Sequence, residues 1–227
     1  MFFADRIKSI GQNDRVLEVG PGADPFFRSN VLLELKFDSE AEYHKQLGHS
    51  NALVTDKQVV YYDGGKFPFA DKEFDYIICS HVLEHVEEIP GFLSEVFRVA
   101  KKGYFEFPKV YYEYLYNISA HLNILKFENC ILTYMKKEEL PFNSFKPVQE
   151  FMLQSLQRGH VKMINDLLPF FVEGFEWSKP FDYRQTHSIS DIALKNVDLP
   201  WPPKQRQNYS FRFLAGQMVR KLLPFKK

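Results

Sequence analysis

Five short apolar segments, separated by helical patterns and turns, constrain the fold of this chain more than any other feature of its sequence. Branched and aromatic side chains dominate these segments, and runs of this length and composition indicate buried strands. They are residues 15–19, 30–37, 58–63, 73–80 and 104–108. Strands that alternate with helices along a chain form a mostly parallel sheet with right-handed crossovers. We therefore expect an α/β fold.

Two connections between these strands carry helix signals. Ser39 and Glu42 form a capping box, which predicts a short helix after the second strand. Residues 89–103 have apolar residues on one helical face and a basic last turn, and we expect this helix to end at Gly103. The first connection, residues 23–29, is too short for more than a turn.

Acidic residues and glycines follow the ends of the predicted strands. They are Glu18 with Gly20 and Gly22, Glu34 with Asp38 slightly beyond it, Asp63 with Gly64, and finally Ser80 with His81. Ligands of parallel sheets bind beyond the carboxyl ends of the strands, where the strand order reverses. A phosphate-rich ligand would need a third glycine and a cationic neighbour. The carboxylates favour instead a ligand with ribose hydroxyls, an exocyclic amine and a cationic amino acid or sulfonium group.

Composition places the chain among soluble globular proteins of a reducing compartment. The two cysteines, Cys79 and Cys130, are too few for a disulfide framework, and Cys79 is expected in the core. No export signal is evident at the start, and no apolar run approaches the roughly 20 residues that span a bilayer. We therefore expect a cytoplasmic protein.

Charge is unevenly distributed along a chain whose formal net charge is zero. Residues 204–227 contain only basic charges, so the rest of the chain is acidic, which argues against a nucleic-acid-binding protein. We expect one domain over residues 1–203 and a basic amphipathic tail over residues 204–227. The part of this tail over residues 209–227 has the pattern of a helix that lies on an anionic membrane surface. Packing of the tail on the body or on another subunit is the alternative, and the oligomeric state stays open.

Three stretches, in this order and spacing, resemble a class I S-adenosylmethionine-dependent methyltransferase of the type 11-like group. They are VLEVGPG (16–22), DGGKFPFADKEFDYIICSHVLEHV (63–86) and FLSEVFRVAKKGYFEFP (92–108). The resemblance covers roughly residues 14–108, the expected cofactor half. It implies a Rossmann-like, mostly parallel seven-stranded sheet with helices on both faces and a shortened first crossover. It also implies an acceptor-side half, residues 109–203, that forms a helical and aromatic cap.

The resemblance implies S-adenosylmethionine as the cofactor and gives each strand end a role. Gly20 and Gly22 would let the backbone approach the amino-acid part of the cofactor, and Glu18 would orient that loop or the cofactor ammonium. Glu34 would bind the ribose, with Asp38 as the competing ligand. Asp63, with Gly64 beside it, would face the adenine amine, and Ser80 would line the methionine side together with His81. For Glu18, Glu34 and Asp63, a purely structural role is the alternative.

The acceptor side is less defined by the sequence. An aromatic helix follows the fifth strand, and we expect Tyr111, Tyr112 and Tyr116 near the acceptor. His81 and His121 are the candidate general bases for methyl transfer by in-line displacement. The acceptor is expected to be a small molecule, a sugar or a lipid-linked compound. His81 and His85 lack an acidic or cysteine partner at metal-site spacing, so no metal is expected.

Two other classes of protein remain as alternatives. The shortened first crossover is compatible with a non-catalytic S-adenosylmethionine-fold module that acts in binding or assembly. A nucleotide-binding oxidoreductase is disfavoured because the third glycine of its fingerprint is missing.

FEWSKPF (175–181) and THSISDIAL (186–194) are expected as an antiparallel pair of closing strands at the sheet edge.

Overall fold

A six-stranded sheet forms the centre of the computed structural model, which describes residues 1–36, 53 and 55–193. Its strands are β1 (Val16–Val19), β2 (Val31–Leu35), β3 (Gln58–Tyr62), β4 (Tyr76–Ser80), β5 (Gly103–Pro108) and β8 (Val172–Trp177). Their spatial order is β3-β2-β1-β4-β5-β8. The first five are parallel, and β8 pairs with β5 in the antiparallel direction. The expected α/β class with a mostly parallel sheet is confirmed.

The strand order reverses between β1 and β4. From β1 the chain moves outward to β2 and β3 on one side, and it returns to β4 on the other side of β1. The carboxyl ends of β1 and β4 therefore lie side by side at the switch point, where such sheets bind their ligands. The connection from β1 to β2 contains turns and no helix, so the shortened first crossover is also confirmed.

Helices and loops cover both faces of the sheet. On one face, α1 (Ile89–Val99) packs Leu93 and Val96 against side chains such as Ile77 and Phe105. On the other face, the cluster around Tyr76 and Tyr104 is covered by the chain start and by the cap helices. The cap consists of α2 (Val110–Tyr116), α3 (Lys146–Gln157), α4 (Lys162–Asp166) and α5 (Leu168–Phe171). Alternate residues of each strand thus enter opposite cores, as the pleat requires.

A second, three-stranded sheet is formed by residues that follow β5 in the chain. It contains β6 (Asn123–Glu128), β7 (Ile131–Lys136) and β9 (Asp182–Gln185), in the order β6-β7-β9. Asn129 and Cys130 connect β6 to β7 with φ angles of 52° and 59°. Two residues at positive φ match the twist of a two-residue hairpin, so this turn fixes the register of the pair.

The expected closing strand over residues 186–194 is wrong. Residues 186–188 form a turn and are followed by the short helix α6 (Ile189–Ile192). Thr186 Oγ1 donates to Asp191 Oδ2 at 2.7 Å and accepts from the Ser188 amide at 3.1 Å. Such local side-chain bonds satisfy polar groups that a strand would offer to its neighbour. The main sheet therefore has six strands among the described residues, not seven.

Gly103 was expected at the end of a helix, but it is the first residue of β5. The helix ends at Val99. A Cβ atom at Gly103 would lie 2.4 Å from the carbonyl oxygen of Ile77 on the neighbouring strand. Close approach of two strands, and not a helix cap, is thus the reason for this glycine.

Two sequence expectations fall on residues outside the described ones: the capped helix after the second strand and the basic tail over residues 204–227. Residues 1–193, apart from 37–52 and 54, contain no helix that is both long and apolar enough to cross a bilayer.

Candidate functional site

The loop after β1 is held by the carboxylate of Glu18. Glu18 is buried at the end of β1, and its Oε2 accepts hydrogen bonds from the Phe26 amide at 2.8 Å and from Ser29 Oγ at 2.7 Å. Burial raises the pKa of Glu18, and these two bonds oppose the rise. In this structure Glu18 therefore orients the loop. The sequence analysis gave this role as one of two, the other being contact with the cofactor ammonium.

Both glycines of this loop adopt backbone conformations that disfavour other residues. The φ angles are 59° at Gly20 and 61° at Gly22. A Cβ atom at Gly20 would lie 2.9 Å from Val82, in the segment after β4, so this glycine is needed for packing. A Cβ atom at Gly22 would meet no heavy atom of the described chain within 4 Å. The backbone at Gly22 thus faces open space that a ligand can occupy.

Glu34 lies near the end of β2 as a buried carboxyl with spare acceptor capacity. The residue is 6% exposed, and the bond seen among the described residues comes from the adjacent Leu35 amide to Oε1 at 3.2 Å. Burial raises the pKa of Glu34 to about 7. A buried carboxyl with so few donors costs stability, and such sites are often used to bind a ligand.

Asp63 stands at the next strand end, and it is exposed. It follows β3 and lies 3.9 Å from Lys36 Nζ, just beyond β2, in a pair whose side chains are both largely exposed. Pairs this open contribute little to stability. Glu34 and Asp63 therefore follow neighbouring strands, as expected, but differ strongly in solvent exposure. Asp38, the alternative to Glu34, lies outside the described residues.

Ser80 and His81 are joined at the end of β4 by a buried carboxylate from β5, Glu106. Ser80 Oγ donates to Glu106 Oε1 at 3.0 Å. The His81 ring lies between two carboxylates, with Nδ1 at 3.1 Å from Glu84 Oε1 and Nε2 at 3.2 Å from Glu106 Oε1. The second contact lacks the alignment of a hydrogen bond. His81 also has a φ of 57°, a strained conformation for a residue with a side chain.

The charges of this cluster stabilise each other. Burial alone would lower the pKa of the His81 ring, but the carboxylates of Glu106 and Glu84 outweigh it and raise this pKa to about 9. Burial alone would raise the pKa of Glu106, but the His81 cation and the amides of Phe2 and Phe3 lower it to about 2. At neutral pH, His81 is therefore an imidazolium ion beside an ionised Glu106.

Glu106 also anchors the start of the chain over this strand end. The amides of Phe2 and Phe3 donate to its two oxygens at 2.7 and 2.9 Å, and Tyr104 donates at 2.8 Å. The Phe2 ring then meets the His81 ring edge to face, with centroids 5.2 Å apart. The N-terminal segment thus covers one side of His81.

His121, the second candidate base, lies in a different set of contacts. Its Nδ1 is 2.5 Å from Oε1 of Glu113, a buried carboxylate on α2, while Oε2 of Glu113 lies 2.7 Å from Lys137 Nζ. The carboxylate fixes the proton on Nδ1, which leaves Nε2 as the acceptor nitrogen of the neutral ring. Glu84 lies near both His81 and His121, and its hydrogen bond with His81 is the main factor that lowers the pKa of Glu84 against the effect of burial.

The three tyrosines expected near an acceptor have different surroundings. Tyr116 is 2% exposed, and Tyr112 packs against it and against Phe171 in the core. Tyr111 stacks on Phe170 and lines a cavity of about 170 Å³. The walls of this cavity include charged residues from the start of α2, from β6 and from β8, namely Lys109, Lys126, Glu128 and Glu173. Tyr112 and Tyr116 thus have the structural role that the sequence left as an alternative.

Sequence reasoning missed two buried carboxylates, Glu106 and Glu113. Each stands in a segment rich in aromatic residues, YFEFP and VYYEYLY, where a strand or helix was predicted correctly. A charged residue at a position that the apolar pattern assigns to the core was the available signal. Buried charges require partners, so recognition of these two positions would have indicated polar clusters.

Residues 17–106 match the family model described as "Methyltransferase domain". The matched segment runs from β1 to β5 and contains every strand-end residue from Glu18 to Glu106 discussed above. This match confirms the resemblance identified from the sequence motifs. No curated protein sequence matches the chain.

Solved structures resemble parts of the chain. The YcgJ protein of Bacillus subtilis shares 21% identity at a TM-score of 0.31, over 42% of this chain and 44% of that one. A SAM-dependent methyltransferase of Aquifex aeolicus shares 23% at 0.30, over 42% of this chain and 57% of that one. One of Mesorhizobium loti shares 14% at 0.35, over 57% and 59%. The chain thus covers less than two thirds of each of these three proteins.

Proposed function

We propose that this protein, whose residues 17–106 form a class I S-adenosylmethionine-dependent methyltransferase domain, transfers a methyl group to a small-molecule, sugar or lipid-linked acceptor. The observation that carries the proposal is an open glycine loop after β1 beside a buried carboxyl near the end of neighbouring β2, which accepts only the Leu35 amide among the described residues. Both belong to the segment that matches the family.

The residues at the strand ends fit S-adenosylmethionine. The open space at Gly22 suits close approach of a ligand to the backbone, and Glu34 has acceptor capacity for the two ribose hydroxyls. Exposed Asp63, with Gly64 beside it, has a loose ion pair with Lys36 at 3.9 Å, and its carboxylate suits an exocyclic adenine amine. We assign Gly20 and Glu18 to shaping the loop around the amino-acid part, and Ser80 and His81 to the methionine side.

The chemistry of the reaction resides mainly in the cofactor, because S-adenosylmethionine supplies an activated sulfonium methyl group for in-line displacement. The protein has to align the acceptor, exclude water and, for a hydroxyl or ammonium acceptor, remove a proton. The N-terminal segment over His81 supports the exclusion of water at the end of β4.

The two candidate bases differ in their ability to accept that proton. His81 is protonated near neutral pH, so we assign it an electrostatic and positioning role beside the reacting groups. His121 presents Nε2 as an acceptor nitrogen because Glu113 orients the opposite side of its ring. A carboxylate that orients a histidine base is a recurrent catalytic arrangement. We therefore propose His121 as the base.

A transfer assay tests the function. The protein is incubated with methyl-labelled S-adenosylmethionine and with small-molecule, sugar and lipid fractions, and the label in each fraction is counted. The expected result is label in one fraction, lost in Gly22→Trp and reduced in His121→Asn. Cofactor binding without label in any fraction would contradict the enzymatic function and favour a non-catalytic binding module.

The basic pattern of residues 209–227 supports a lipid-linked acceptor, and we propose that this segment contacts anionic membranes. It lies outside the described residues, so the argument rests on sequence alone. The test measures binding to vesicles with and without anionic lipid. It compares the wild type with the triple variant Arg212→Glu, Arg220→Glu and Lys221→Glu. Equal binding of both proteins to anionic vesicles would contradict the proposal.

A further inference from the structure

Glu84, His85 and His121 meet beside the end of β4 in an arrangement that the methyl-transfer proposal does not use in full. Each offers one ligand atom, and these atoms all lie within 4.8 Å of one another. Glu84 and His85 belong to the turn Leu83–His85 after β4, while His121 comes from the segment between α2 and β6. The distance along the chain between these segments explains why spacing alone predicted no metal site.

Glu84 is a buried carboxylate with one oxygen that lacks a bonding partner among the described residues. It is 0% exposed, and its Oε1 lies 3.1 Å from His81 Nδ1. Its Oε2 is buried and has no hydrogen-bond partner among the residues that the structure describes. A buried carboxylate oxygen without a donor is costly and calls for an explanation such as an ion.

Both histidines are oriented so that Nε2 is available. His85 Nδ1 is 3.0 Å from the carbonyl oxygen of Ala120, which can only accept, so Nδ1 carries the proton. His121 Nδ1 is held by Glu113 Oε1 at 2.5 Å. Metal-binding histidines commonly donate their other N–H to a carbonyl or a carboxylate, which fixes the ring and its tautomer. Both of these partner types are present here.

We propose that Glu84, His85 and His121 bind a divalent transition-metal ion of the zinc type, with His85 and His121 coordinating through Nε2. Two imidazoles and one carboxylate suit zinc and related ions, whereas magnesium prefers a site made of oxygen ligands. Ligand atoms of a tetrahedral zinc site are roughly 3.4 Å apart at the usual bond lengths. The observed separations of up to 4.8 Å require a contraction of up to about 1.4 Å, which side-chain rotation can supply.

The bound ion would connect the turn after β4 to the segment between α2 and β6. It would thereby tie the acceptor-side half to the cofactor half of the domain. Because His121 Nε2 cannot hold an ion and accept a proton at once, His121 acts as the base only in the metal-free protein, and a bound ion would block proton removal by this residue. The binding test therefore uses neither S-adenosylmethionine nor an acceptor, so its outcome is independent of methyl transfer.

The test is a titration of the chelator-treated, full-length protein with Zn²⁺ in competition with a chromophoric chelator. We expect one ion per chain with a Kd at or below the micromolar range, and no competition by millimolar Mg²⁺. The variants His85→Asn and His121→Asn should each weaken binding at least 100-fold. Glu113→Gln, which changes the group that orients His121 and also removes the ion pair with Lys137, should weaken zinc binding about 10- to 100-fold. His160→Asn, at an exposed histidine elsewhere, should leave the affinity unchanged.

Far-UV circular dichroism and the Tm of each variant show whether it folds. Co²⁺ provides a second readout, because tetrahedral coordination gives an intense visible absorption band. A tetrahedral band that disappears in His121→Asn and persists in His160→Asn supports the site. Absence of stoichiometric binding, or equal zinc affinity in the wild type and in a folded His85→Asn/His121→Asn double variant, would overturn the proposal.

Discussion

Replacement of Glu34 by glutamine separates the contribution of this residue to stability from its contribution to binding. Burial raises the pKa of Glu34 to about 7 from its usual value of 4.5. The unfolded chain therefore ionises this group at lower pH than the folded protein does. Stability from this group is present in full below pH 4.5 and is lost as the pH rises towards 7.

The size of this effect follows from the two pKa values. In the absence of ligand, linkage gives a loss of about 3 kcal/mol in the free energy of unfolding by pH 8, of which about 2.5 kcal/mol falls between pH 5 and pH 8. Glu34→Gln has no group that titrates here. The difference in stability between the variant and the wild type should therefore shift in favour of the variant by about 2.5 kcal/mol between pH 5 and pH 8.

Binding should change in the opposite direction. Ribose hydroxyls donate to the ionised carboxylate, so the affinity of the wild type for S-adenosylmethionine should fall about tenfold from pH 8 to pH 6 through this group. Hydrogen bonds to a charged group contribute about 1.5–3 kcal/mol, so Glu34→Gln should bind about 10- to 150-fold more weakly at pH 8. Its pH profile should retain only the titration of the ligand itself.

Urea denaturation at several pH values and calorimetric titration with the cofactor measure both effects. Glu138→Gln removes the same charge at an exposed position and should change neither quantity. If the stability difference between Glu34→Gln and the wild type were constant from pH 5 to pH 8, the burial argument would be refuted. If the affinity of Glu34→Gln equalled that of the wild type, Glu34 would not be the ribose ligand.

Three further substitutions test other parts of the structure. Gly22→Trp should reduce cofactor affinity more than 100-fold in calorimetry. It should lower the free energy of unfolding by only about 1–2 kcal/mol, the cost of the positive φ, because no described atom lies near the new Cβ. A large fall in Tm or an unchanged affinity would contradict this. Glu106→Gln should lower the free energy of unfolding by about 3 kcal/mol in urea denaturation at pH 7, because it leaves His81 without one of its carboxylate partners. A loss below about 1 kcal/mol would show that this pair contributes little. Gly103→Ala should lower the free energy of unfolding by about 3 kcal/mol, because its Cβ would lie 2.4 Å from the Ile77 carbonyl oxygen. An unchanged stability in the same assay would contradict the pairing of β4 with β5.

The central sheet was predictable because its signals are local. The parallel strands β1, β2, β4 and β5 are buried on both faces, so each stands out as a short, nearly continuous apolar run, whereas β3 at the sheet edge is partly exposed. The carboxyl ends of parallel strands share one edge of the sheet, which is why Glu18, Glu34 and Asp63 could be grouped from sequence. The class of fold and the position of the candidate site followed from these two facts.

Features that depend on contacts distant in sequence were not predictable in the same way. Gly103 follows a helix, so its sequence position is that of a helix end. The reason for a glycine there is the nearby Ile77 carbonyl on the neighbouring strand, which the sequence does not reveal. The segment from Thr186 to Asp191 was expected within a strand, but its hydroxyl and carboxylate groups bond locally. His121 lies near His85 only because the segment after α2 returns to the end of β4.

The most direct test of the account is a calorimetric titration of the purified protein with S-adenosylmethionine, with its demethylated product and, in parallel, with NAD. The account predicts that the first two bind with micromolar affinity at one site per chain and that NAD does not bind. Silence for all three ligands, or binding of NAD alone, would contradict the assignment of the strand-end site to S-adenosylmethionine.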